Sequence, residues 1–166
     1  MAINSEKISS SLEDYLEVIA EILEQNKHAH TKDIADKLGI KMPSVTNALQ
    51  TLSAKGLIFY QPHSPVILTA AGTERAAVIR RRHAALKTFF SEILKMKETD
   101  ADATACKVEH VVSEEVMSRF VALTDAILKQ PGAEELRKYL DKTMPNLVVH
   151  KEEENLISLD KLSVGE

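Results

Sequence analysis

The 166-residue chain has no tryptophan, only 4% aromatic residues and a single cysteine. With so few rings, any core has to be mainly aliphatic and helical. One cysteine excludes an internal disulfide and fits a reducing compartment. No apolar run approaches the roughly 20 residues needed to span a bilayer, and the first residues carry no signal-like apolar block. A cytoplasmic protein with no membrane partner is therefore the expectation. Excess positive charge is missing as well. The net charge of −4 argues, as a total, against a nucleic-acid partner.

The distribution of charge reverses that argument. Residues 27–97 hold 12 Lys/Arg against 4 Asp/Glu, and the rest of the chain holds 9 against 21. An acidic protein with a basic central section can still dock on phosphates through that section. Overall, 44% hydrophobic and 28% charged residues are ordinary for a soluble globular chain.

Helical spacing of Leu12, Tyr15, Leu16, Ile19, Ile22 and Leu23 predicts a first helix over 9–25, capped within Ser9-Ser10-Ser11. Asp14 and Glu17 lie on or near its opposite stripe, where two solvated acids are the simplest reading. Thr31 is expected to cap a second helix over 32–38, closed by Gly39. Pro43 opens a third over 43–54, with Val45, Leu49 and Leu52 inward. Helix, glycine turn and helix make a helix-turn-helix. Thr31, Lys41, Pro43, Ser44, Thr46, Asn47 and Gln50 are its candidate DNA-contacting residues; all but the helix-opening Pro43 are polar groups or a cation that can reach phosphates or base edges. Residues 56–61 and 66–69 read as strands joined by Pro62-His63-Ser64-Pro65, which adds a wing.

From residue 69 or 70 one long helix is expected to reach about Met96, with Arg80-Arg81-Arg82 on its outer side and then His83. Another helix begins within 100–105, and the section 97–130 is apolar enough to self-associate. Pro131-Gly132 breaks it, and a short helix over 133–141 follows. The fold class is thus mainly α: an N-terminal winged helix-turn-helix over 1–72, then an all-helical dimerisation and metal-binding domain over 73–141. Residues 142–166 are an acidic tail or the start of an SH3-like domain.

Cys106-Lys107-Val108-Glu109-His110 carries the densest chemistry. On a helix, Cys106 stands three residues before Glu109 and four before His110, so thiol, carboxylate and imidazole share one face. Taken alone, a buried thiol beside two surface polar groups is the simpler reading. Asp14 and Glu17 on the first helix and His83 on the long helix complete a set from three elements, and a metal held that way locks the elements together.

In order along the chain, Leu12-Glu13-Asp14-Tyr15-Leu16-Glu17, the winged helix with Pro43-Ser44-Val45-Thr46, Arg82-His83 and the 106–110 run followed by Ser113 and Glu115-Val116 resemble one family. It is that of the metal-dependent repressors typified by the diphtheria toxin repressor and the manganese transport regulator. The resemblance covers about residues 9–130. It implies a homodimer that takes up Fe(II) or Mn(II), one or two ions per subunit, and then binds double-stranded operator DNA as a repressor controlling metal homeostasis. It further implies Asp14, Cys106, Glu109 and His110 as main ligands, with Glu17 and His83 at a second position. Asp14 and Glu17 are as in the manganese-sensing branch, whereas Cys106 is as in the iron-sensing branch, and a thiolate weighs the choice toward Fe(II). Lys87 and Asp102 depart from the iron branch's ancillary site.

Two other classes compete. A metal-independent winged-helix regulator would sense a small ligand or thiol oxidation. An enzyme would use Cys106 as nucleophile and His110 as base, but no oxyanion or substrate motif accompanies that pair, so no enzymatic activity is expected.

Overall fold

The computed structural model describes residues 8–26 and 28–146. Among them are seven α-helices and one two-stranded antiparallel ribbon. Helix α1 (Ser10–Gln25) starts where the Ser9 hydroxyl accepts from Leu12 N at 3.4 Å. It lays Tyr15, Leu16, Ile19 and Ile22 into the first core. Helix α2 (Thr31–Leu38) differs from expectation at its start. Thr31 is its first residue, the cap is His30, and Asp33 Oδ2 accepts from His30 N at 3.0 Å. Gly39 closes it at φ 66°, a left-handed conformation that glycine adopts without a Cβ clash, and Ile40 N then bonds back to Ala35 O at 3.1 Å.

Helix α3 (Met42–Ala54) buries Val45, Ala48, Leu49 and Leu52. The ribbon is shorter than the sequence suggests, with β1 (Ile58–Phe59) paired to β2 (Ile67–Leu68). Neighbouring residues are diverted to other partners. Leu57 O receives Thr69 N at 3.0 Å, and Val66 N donates to Ala29 O at 2.7 Å, which staples the wing to the segment before α2. Leu16, Ile19, Ile34, Val45, Leu49, Leu52, Ile58 and Val66 form the most deeply buried centre of this part.

Helix α4 (Ala70–Thr88) begins at Thr69, whose hydroxyl accepts from Gly72 N at 3.0 Å. It stops eight residues before Met96, and its continuation is one π-helical turn, Phe89–Ile93. Helix α5 (Glu98–Val108) packs across α4, and α6 (Glu114–Lys129) and α7 (Glu134–Thr143) complete the second part. Its cores are Leu86, Phe90, Ala101, Ala105 and Met117, and Ile93 with Ile127 and Leu140. Phe89 meets Phe120 edge-on, ring centres 4.8 Å apart.

Two expectations need correction here. Helix α5 ends at Val108, so Glu109 is its C-cap and His110 lies in the turn beyond, not on a continuing helix face. Arg82 is not on the outer side. Its guanidinium donates to Val112 O and lies beside Glu114, tying that turn to α4. Val111, Val116 and Leu123 are exposed within this chain, in the section expected to self-associate. From residue 147 onward the reading of an acidic tail or SH3-like start lies outside the described residues.

Candidate metal centre and nucleic-acid interface

Three elements meet beside α5. Helix α1 supplies Glu13, Asp14 and Glu17, α4 supplies Arg75 and His83, and the end of α5 supplies Cys106, Glu109 and His110. Glu109 sits at the centre, its side chain only 1% exposed. It is the C-cap of α5, and the turn that follows is tied to α4 by Arg82, which donates to Val112 O. One Glu109 oxygen, Oε2, lies 2.9 Å from His83 Nδ1. Glu17, His83 and Glu109 bring ligand atoms within 4.8 Å of one another, the spacing of a cation site.

The other oxygen, Oε1, lies 3.4 Å from His110 Nε2, and Asp14 Oδ1 lies 2.8 Å from that same nitrogen. Despite this closeness, neither Glu109 Oε1 nor His110 Nε2 makes a hydrogen bond among the described residues, and both are buried. The three groups crowd around a common point without being aligned on one another. Leaving buried polar atoms unsatisfied is costly. Two of them facing each other fit a centre built for a cation, so the donors present suit a divalent ion.

Charge within the cluster is balanced by imidazolium. His83 is held at a pKa of about 9 by its hydrogen bond to Glu109, against the opposing effect of burial, with a second bond from Nε2 to Asp102 at 3.3 Å. For His110, burial works against the charged ring. The bond from Nδ1 to Glu13 and the nearby Asp14 and Glu109 outweigh it, and the pKa is raised. Glu17 is raised by burial and then by Glu109 and Asp14. Cys106 is exposed and lines the same cleft of about 810 Å³ as Asp14 and His110. Partial burial of its thiol, followed by Glu109, Asp14, Glu17 and Asp102, pushes its pKa up. All six candidate ligands thus lie around one region. Five touch or cluster, and Cys106 stands at the rim.

Sequence reasoning gave no role to several neighbours. Glu13, not Asp14, is the buried acid of α1, paired with Arg75 and with His110. Asp102 is shared between His83 and Lys87, which also pairs with Glu98 at 2.9 Å. A glutamate in a first helical turn looks like a response to the helix dipole, so nothing local distinguished Glu13.

In the first part, Lys41, Pro43, Ser44, Asn47 and Gln50 are exposed at the start of and along α3. They alternate with the buried Val45, Ala48 and Leu49, so one face packs and the other is free to meet a groove. Thr46 is half-buried and its hydroxyl donates to Met42 O at 3.1 Å, turned onto its own helix. Thr31 is half-buried at the start of α2.

Two family models match the chain: iron dependent repressor, N-terminal DNA binding domain, over residues 7–66, and iron dependent repressor, metal binding and dimerisation domain, over 69–136. The HTH-type transcriptional regulator MJ0568 of Methanocaldococcus jannaschii is 38% identical over 113 residues, covering 68% of this chain and 90% of that protein. The HTH-type transcriptional regulator MntR of Listeria welshimeri is 30% identical over 135 residues, covering 81% and 94%. A solved structure of a manganese-dependent transcriptional repressor in complex with manganese superposes with a TM-score of 0.63 at 29% identity. That match covers 68% of this chain and 52% of the other, so the chain spans about half the length of that structure. With a DNA-binding part and a metal-binding and dimerisation part both matched in order, the chain belongs to the iron-dependent repressor family of metal-dependent transcriptional regulators.

Proposed function

We propose that this chain is a cytoplasmic homodimeric repressor whose affinity for operator DNA is set by Fe(II) or Mn(II), one or two ions per subunit. Residues 1–72 act as the DNA-binding domain and 73–141 as the dimerisation and metal-binding domain. The observation that carries this reading is the pair of buried, unsatisfied ligand atoms, Glu109 Oε1 and His110 Nε2, gathered with Asp14.

Asp14, Glu109 and His110, with Cys106 at the rim, would hold one ion, and Glu17, His83 and Glu109 would hold a second. A bound divalent ion supplies the positive charge that these carboxylates otherwise draw from protonated imidazoles. The residues do the rest. Asp14 and Glu17 belong to α1, whose inner face packs in the same core as Val45 and Leu49 of α3. Drawing α1 toward Glu109 and His110 therefore fixes the α3 face relative to the second part. In a symmetric dimer, that sets the spacing of two recognition helices on successive major-groove turns. Coupling of about 1–3 kcal/mol, roughly 5- to 150-fold in DNA affinity, is typical of such linkage. Carboxylates and imidazole suit Mn(II) and Fe(II) alike, and Cys106 is the donor that favours Fe(II). An exposed thiol whose pKa is raised is mostly protonated and poorly reactive, which disfavours oxidation sensing.

The test is anaerobic binding to the promoter region of the protein's own gene, titrated separately with Fe(II), Mn(II) and chelator. Binding that appears with one ion and disappears with chelator is expected. Binding indifferent to metal would leave a winged-helix regulator with another signal.

A further inference from the structure

We propose that Glu13, clamped by Arg75, is a positioning residue for the metal centre. It holds the Nδ1–H of His110 and thereby leaves Nε2 with the free lone pair. The proposal rests on the reading of that centre as a metal site, but its geometry stands separately. Glu13 is 5% exposed, and its two oxygens are both committed. Oε1 takes the Arg75 guanidinium from α4, and Oε2 lies 2.7 Å from His110 Nδ1. The three residues come from α1, α4 and the turn after α5, far apart in sequence.

A buried carboxylate needs such partners, since an unpaired one is strongly destabilising. A carboxylate only accepts, so Nδ1 must be the donor. A neutral imidazole has a single N–H, so its Nε2 is then the unprotonated nitrogen. That nitrogen is the one left without a hydrogen bond, beside Glu109 Oε1 and Asp14. Adjacent acids thus do different work. Asp14 faces the ligand side of the His110 ring, and Glu13 grips the far side. Arg75 fixes the Glu13 rotamer, so the ring has one orientation available. Fixing the tautomer of a ligand histidine through its other nitrogen is a general way to raise metal affinity.

The experiment uses the full chain without DNA. Co(II) is titrated by its visible absorption, and the His110 tautomer is read by nitrogen-15 NMR in the metal-free protein at alkaline pH, where the ring is neutral. The wild type is expected to carry its proton on Nδ1. Glu13→Ala is expected to move it to Nε2 and to weaken Co(II) binding about 10- to 100-fold. Glu13→Gln, whose amide oxygen can accept the same proton, should restore the tautomer and most of the affinity. A wild-type ring protonated on Nε2 overturns the proposal without any variant, which covers the case of Glu13→Ala failing to fold. Wild-type tautomer and affinity in Glu13→Ala also overturn it, as does a Glu13→Gln variant that binds as poorly as Glu13→Ala with Nδ1 still protonated. A wild type that binds no Co(II) would instead overturn the metal reading, while the tautomer still reports on Glu13.

Discussion

His83 carries the clearest pH signature of any single residue. Its ring is bonded to Glu109 and Asp102, and its pKa stands at about 9 against an ordinary 6.5. A histidine raised in the folded state stabilises fully below its unfolded pKa and loses that contribution as pH rises through the folded one. Metal-free protein should therefore lose stability between about pH 6.5 and pH 9, with the raised His110 adding to the decline. Metal affinity should rise over the same interval, because a ligand histidine must give up its proton. Thermal unfolding with chelator and Mn(II) titrations across this range would show the two opposite slopes, and His83→Ala should flatten both. Parallel slopes would refute the assignment. At this scale Asp14, Glu17, His83 and His110 stood out only as a set drawn from separate elements, and the structure places those side chains around one region. The sequence was silent on Glu13 and Arg75, whose pairing spans 62 residues and leaves no local pattern.

The wing and α4 are joined through a glycine. A Cβ on Gly72 would sit 1.9 Å from Leu57 O, and that carbonyl accepts Thr69 N. Gly72→Ala must push the start of β1 off α4, and overpacking of this kind costs about 1–3 kcal/mol. A lower unfolding midpoint with weaker operator binding is the expected result, and a melting curve that matches wild type would rule out this contact. Helices α1, α2 and α3 were legible because each carries an apolar stripe with a start or stop signal beside it. The end of α5 was not. Spacing from 106 to 110 fits a helix, and the turn there is held in part by the distant Arg82–Val112 bond. The strands came out short for a similar reason, since Leu57 and Val66 spend their hydrogen bonds on Thr69 and Ala29.

For the whole molecule, the linkage between α1 and the end of α5 predicts separable defects. Asp14→Ala and His110→Ala should each abolish metal-stimulated operator binding while leaving cooperative unfolding of the metal-free protein in place. Fluorescence anisotropy on operator DNA with and without Mn(II) measures the first, and calorimetry measures the second. Tight metal-stimulated binding in either variant would sink the clamp. The exposed Val116 and Leu123 on α6 belong to this scale too, because an apolar face left open in one chain is the kind of surface a second copy covers.

Glu109 offers one oxygen to each of the two ligand groups. In the proposed two-ion arrangement, whichever group is engaged first would fix the carboxylate rotamer that the other requires, so the two would fill as a correlated pair. The expected signature is a dose–response curve steeper than a hyperbola in Mn(II) titrations, reduced to a simple hyperbola by Glu17→Ala. A regulator with such a curve reports the crossing of a threshold and ignores small drifts on either side of it.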